Sequence, residues 1–257
     1  MKRIAIIGFV FMLFASGICR AQLPSGSVEN MFENGNAAYN EGNYEQALTC
    51  YNSIVESGLE SADLYYNMGN TYYKMKDYPK SILYYEKALK LDPSNEDIRT
   101  NLEIANLAIV DKITPIPQSF IAKWWNGLGS AFSADGWAWL SIISFALLLV
   151  CLFLFLMSRR MGLRKTGFFV GVLTLLCFGL SIFFALTRQR DMRFQDEAII
   201  MTPTALVKSS PSENSVDLFV LHEGSKVRVM DGANGWNKIK IADGSVGWLQ
   251  AENMIAF

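Results

Sequence analysis

Residues 137–157, WAWLSIISFALLLVCLFLFLM, and residues 167–187, GFFVGVLTLLCFGLSIFFALT, decide the architecture of this 257-residue chain. Each run is 21 residues long and carries no charge. At about 1.5 Å of rise per helical residue, each reaches across a hydrocarbon core roughly 30 Å thick. The nine residues between them, 158–166, hold Arg159, Arg160, Arg164 and Lys165 and no acid. Two spans with a short basic connection read as a membrane hairpin. The positive-inside rule puts that connection in the cytoplasm, and everything before and after the hairpin on the opposite face. Arg188, Arg190 and Arg193 follow the second span and oppose this orientation, so the inverted arrangement stays open.

Working outward, the chain divides by composition. Residues 22–111 hold 14 acids against 6 Lys/Arg, net −8, and residues 196–257 hold 8 against 5, net −3. Two acidic domains argue against nucleic acid as a partner. At the N-terminus, Lys2 and Arg3, the apolar run 4–15 and the ending Cys19-Arg20-Ala21 have the three parts of a secretory signal peptide over residues 1–21. It would deliver the following domain to the outer face. Just before the first span, Ile121, Trp124, Trp125, Leu128 and Phe132 fall at helical spacing, which predicts a linker and interfacial amphipathic helix over residues 113–136. Trp137 and Trp139 belong at the headgroup level.

Residues 31–110 repeat with a period of 34: Gly35 with Gly69, Asn36 with Asn70, Tyr44 with Tyr78, Ala47 with Ser81, Tyr51 with Tyr85. Tyr65, Met68, Gly69, Tyr72, Ser81, Tyr85, Ala88 and Pro93 resemble the tetratricopeptide signature. That resemblance implies antiparallel helix pairs over residues 22–112, with a last polar helix from Glu96 capping the stack. It also implies a concave peptide-binding groove carrying Asn36, Tyr39, Tyr66, Asn70, Tyr73 and Lys74. The two asparagines either hydrogen-bond an extended peptide, since an amide both donates and accepts, or sit as polar residues on a solvated helix face. Phe32, Thr100 and Ile104 stand where a dicarboxylate clamp needs basic residues, so capture of a C-terminal carboxylate is not expected.

Residues 188–257 change to period two. Six β-rich runs are separated by Ser209-Ser210-Pro211, Glu223-Gly224, Asn234-Gly235 and Asp243-Gly244. Their order, with Gly247-Trp248, resembles the bacterial SH3-like domain, a small barrel. Trp236 and Trp248 either line a ligand groove or plug the ends of the barrel as core, and the latter is the reading favoured. His222 is the single histidine, too solitary for a metal site or a triad, and is assigned a structural place at a strand end. Cys19, Cys50, Cys151 and Cys177 form no disulfide framework, and each is expected to be a small buried thiol.

The fold class is therefore a multidomain membrane protein: an α-solenoid, a transmembrane α-hairpin over residues 137–157 and 167–187, and a small all-β SH3-like barrel. In this order the parts resemble the BatE-like family of Bacteroides aerotolerance operon proteins. The resemblance is carried by residues 110–113, Trp124-Trp125, residues 137–141 and residues 217–224. It implies an inner-membrane protein with both soluble domains in the periplasm, encoded with von Willebrand factor A-domain membrane proteins, and a part in aerotolerance or stress. The residues predict a non-enzymatic scaffold, with no catalytic residue, metal or cofactor, that binds envelope proteins and contacts inner-membrane lipid. The alternative is a peptidoglycan-binding sensor acting through the barrel. No nucleophile–base pair or phosphate-binding loop speaks for an enzyme.

Overall fold

The computed structural model describes residues 25–114, 116–117, 119–193 and 196–257. The expected signal peptide lies outside them. Five helices open the structure: α1 Ser25–Asn40, α2 Tyr44–Glu56, α3 Ala62–Lys74, α4 Tyr78–Leu91 and α5 Glu96–Ala108. Their starts are written locally. Ser61, Asp77 and Asn95 each accept a backbone N–H of the first turn, and Pro79 occupies the first turn of α4. The period of 34 survives into geometry: α1 and α3 end 34 residues apart, and so do the starts of α2 and α4. Both turns need a left-handed residue, supplied by Gly42 (φ +83°) and, one period later, by Lys76 (φ +64°). A Cβ on Gly35 would lie 2.5 Å from the Tyr51 ring, and one on Gly69 would lie 2.6 Å from that of Tyr85. Glycine therefore lets each helix pair close.

The first pair is less well filled, because exposed Asn34 stands where Met68 is fully buried. The polar cap expected at the end of the stack is not what forms. Helix α5 buries Ile98, Leu102 and Ala105 but leaves Ile104 and Leu107 exposed, at 44% and 75%.

The C-terminal part is a seven-stranded antiparallel sheet: β1 Glu197–Ile200, β2 Thr204–Lys208, β3 Asp217–His222, β4 Lys226–Ala233, β5 Trp236–Lys240, β6 Val246–Gln250 and β7 Met254–Ala256. Spatially the order is β3-β2-β6-β5-β4-β1-β7. The sequence reading anticipated six of these strands. It passed over β7, three residues set off by a short turn of 3-10 helix. The edge strands β3 and β7 do not pair, so the closed barrel is corrected to an open sheet. Asn234 and Gly235, with φ +52° and +80°, make the two-residue turn that joins β4 to β5.

The sheet docks onto the helical repeat. Ile199 and Phe257 are buried in the same apolar cluster as Ile82, Tyr85 and Ile98. Between the two units, Ile109 packs against the helical core and Ile113 against that of the sheet. Ile116 donates its N–H to the Ala242 carbonyl at 3.1 Å. The β3–β4 turn is held by Asp111, whose carboxylate accepts the His222 N–H at 2.7 Å and the Ser225 hydroxyl at 2.6 Å, and meets His222 Nδ1 at 2.7 Å. Lys226 reaches Glu86 of α4 at 2.8 Å and Glu197 of β1 at 2.9 Å.

Three more helices lie between the docked units: α6 Phe120–Gly129, α7 Ala134–Met157 and α8 Met161–Arg193. Helices α7 and α8 are long and apolar enough to cross a membrane, and only 11% and 17% of their most apolar windows are buried. A helix at the core of a soluble protein would be mostly buried. They pack closely where Gly167 and Gly171 lie against Cys151, with Phe145 on Phe178 and Phe155 on Phe168. The connection is tighter than the nine residues expected. Helix α8 begins at Met161, so Arg164 and Lys165 ride on its first five residues, and the Arg164 guanidinium sits 5.2 Å from the Phe155 ring centre. Cys151 is buried between the helices, but Cys177 is exposed and Cys50 only half-buried, so the expected set of buried thiols is not realised.

Candidate functional site

Helices α1, α3 and α5 form one wall of the helical repeat, and two adjoining hollows run along it. The first, about 310 Å³, is lined by Asn36, Tyr39, Asn40, Tyr51, Asn67 and Asn70. The second, about 320 Å³, is lined by Tyr39, Tyr66, Asn70, Tyr73, Lys74, Tyr85, Asn101 and Ile104. All six groove residues read from the sequence fall in these hollows, and Tyr39 and Asn70 belong to both. Neither lining contains an acid, although the surrounding domain carries net −8.

The two asparagines are built into a periodic network. Asn36 Oδ1 accepts the Tyr51 hydroxyl at 2.8 Å and Asn67 Nδ2 at 2.9 Å. One period on, Asn70 Oδ1 accepts the Tyr85 hydroxyl at 2.7 Å and Asn101 Nδ2 at 3.0 Å. Asn101 also donates to the Tyr66 hydroxyl at 2.9 Å. These bonds decide the amide orientation: both carbonyls are taken twice from within the protein, so the NH₂ groups are what Asn36 and Asn70 can offer a ligand. That narrows the sequence reading, which counted on an amide that donates and accepts. Burial pushes the Tyr51 phenol up to about 12 and raises Tyr85 and Tyr39 as well, and Tyr51 and Tyr85 spend their hydroxyl protons on Asn36 and Asn70. Asn67 and Asn101 were missed in the sequence. They too are 34 apart, and that spacing was the available signal.

Trp236 and Trp248 are half-buried and absent from the apolar core of the sheet, which is made by Ala205, Val207, Leu221, Ile239 and Leu249 among others. They therefore do not plug it. Strand alternation puts them on the outer face, where Trp248 is flanked by Lys208 of β2 and Lys238 of β5. His222 ends β3 and binds Asp111. Burial works to raise Asp111, but bonds from the Ser225 hydroxyl and from the N–H and ring of His222 outweigh it and hold the carboxyl below its ordinary value of 3.8. Among the described residues no group of three or more His, Cys, Asp or Glu could hold a metal ion.

The comparisons fall on the helix pair α3–α4. Residues 62–95 match the tetratricopeptide repeat. The repeat begins at the first residue of α3 and ends just before α5. A curated relative, "Tetratricopeptide repeat protein 12" of Homo sapiens, is 38% identical over 77 residues. That stretch is 30% of this chain and 11% of the human protein, so the chain spans little more than a tenth of that relative's length. Tetratricopeptide repeats generally mediate protein–protein interaction, and the matched pair contributes Tyr66, Asn70, Tyr73 and Lys74 to the wall.

Proposed function

We propose that the chain is a non-enzymatic, membrane-anchored scaffold whose groove holds an extended segment of a partner protein. The observation that carries this reading is the wall of α1, α3 and α5, where the NH₂ groups of Asn36 and Asn70 lie among tyrosines with no acid in the lining. Such a lining suits the carbonyl groups of an extended peptide, with Lys74 for an acidic side chain and Ile104 for an apolar one. Helices α7 and α8 are the anchor in the cytoplasmic membrane, with the Arg-rich turn inside and both docked units in the periplasm. The resemblance to aerotolerance-operon proteins points to an envelope complex with von Willebrand factor A-domain proteins and a part in stress tolerance.

Crosslinking in native membranes followed by purification tests the groove. The Asn40→Asp, Lys74→Glu protein, altered at two exposed lining positions, is expected to lose its crosslinked partners while its melting temperature holds. Unchanged recovery would sink the assignment. The half-buried Trp236 and Trp248 on the outer face of the sheet support a second reading, a peptidoglycan-binding sensor with an SH3-like domain. In that case the full chain sediments with cell-wall sacculi and Trp248→Ala abolishes it.

A further inference from the structure

Helix α6 has two apolar sides, and among the described residues one of them packs within the protein. Trp125 turns inward, its ring 6.0 Å from that of Phe183 and 5.1 Å from that of Phe184. Trp137 stacks on Phe184 at 4.9 Å, and Phe132 meets Trp137 edge-on at 5.2 Å. The last carbonyl of α6, on Gly129, accepts both Trp137 Nε1 at 3.0 Å and Arg188 Nε at 3.1 Å. A helix end leaves such carbonyls without intrahelical partners, and here one span and the helix that continues the other supply them. A Cβ on Gly129 would lie 3.0 Å from Phe184, so a side chain there would press on that ring. Helix α6 is thus clamped to both long helices at the ends of their charge-free runs.

Its other side is open among the described residues. Phe120, Ile121 and Trp124 are 82%, 75% and 59% exposed. At the same level the long helices expose Trp139, Ile142, Phe183 and Leu186, at 66%, 54%, 50% and 61%. Trp125, 40% exposed and in ring contact with Phe183, joins the row on α6 to the apolar surface of the hairpin. We propose that α6 lies in the membrane–water boundary at the Trp137 end of the hairpin, with Phe120, Ile121 and Trp124 sunk among phospholipid acyl chains. Lys123, next to Trp124, extends to the headgroups. This rests on the reading of α7 and α8 as spans. It also divides the row expected to face lipid: Trp125 and Phe132, 40% and 49% exposed, set one edge against Phe183, Phe184 and Trp137 within the protein. Arg188, which stood against the topology as a charge on the outer side, is employed as the clamp of α6.

The test uses the full chain with its native cysteines replaced, reconstituted in phosphatidylethanolamine–phosphatidylglycerol vesicles. A fluorophore is placed at Ile121→Cys, at Leu147→Cys in the first span, or at exposed Glu213→Cys. Quenching is read with lipids carrying a nitroxide near the headgroup or deep in the chain, and with a water-soluble quencher. The expected result is shallow-lipid quenching and loss of aqueous quenching at 121, deep quenching at 147, and aqueous quenching at 213. If 121 behaves like 213 while 147 stays lipid-quenched, the proposal falls and the spans stand. If 147 is also reached from water, the membrane reading itself falls. If 121 is shielded from lipid and water alike, a second copy or a partner protein covers the row, and the proposal is overturned. Should Ile121→Cys fail to fold, Phe120→Cys gives the same readings.

Discussion

Gly69 and Lys76 sit seven residues apart and show how much one backbone position can decide. Gly69 is glycine because the Tyr85 ring occupies the space of a side chain. Gly69→Ala should therefore destabilise the helical repeat by about 1–3 kcal/mol through overpacking, read as a lower denaturation midpoint of the full chain in detergent. Lys76 holds φ +64° in a turn whose counterpart one period earlier is Gly42. Since a side chain in the left-handed region costs roughly 1 kcal/mol, Lys76→Gly should raise the same midpoint, and Gly42→Ala should lower it. Asn36 and Asn70 belong at this scale as well. Their identity and spacing were legible in the sequence, but their orientation was not, because it is fixed by hydroxyls and amides of other helices 15 and 31 residues away.

Among elements, the β3–β4 turn is the one whose place no local pattern announced. The helices of the repeat and most strands could be read from periodicity and turn residues, since both signals are carried by near neighbours. The bond between Asp111 and His222 joins residues 111 apart and has no periodic signature. For the same reason nothing in the sequence announced that the two flanking units touch. Asp111→Ala would leave the His222 N–H and the Ser225 hydroxyl without their acceptor and should cost about 1–3 kcal/mol. The pH dependence follows from the direction of its shift. A carboxyl held below 3.8 in the folded protein stabilises it fully above that value, and the contribution disappears as pH falls through the depressed one. The melting temperature of the wild-type chain should therefore drop in strong acid by more than that of Asp111→Ala, the two curves converging at the lowest pH. Parallel curves would show that the carboxylate does not hold the turn.

Across the whole molecule, the two candidate spans among the described residues and the dock between the flanking units agree with each other, for if both helices cross a membrane the dock forms only where both units emerge on one face. The hairpin was the most legible feature of the sequence, its runs matching α7 and α8 to within a few residues at the turn, because length and lack of charge suffice to mark it. The side of the membrane is a separate matter. An impermeant thiol reagent applied to intact spheroplasts should label Ser210→Cys and spare Ser158→Cys, and the opposite pattern would invert the orientation.

The dock also makes the chain a closed circuit. It leaves the Asp111–His222 junction, descends through α6 and α7, turns at residues 158–160 and climbs back along α8 to the same junction. Covalent continuity at the turn is then redundant. Two separately translated pieces, residues 1–159 and 160–257, should find each other and copurify, joined at one end by the packing of α7 on α8 and at the other by the carboxylate that grips the β3–β4 turn.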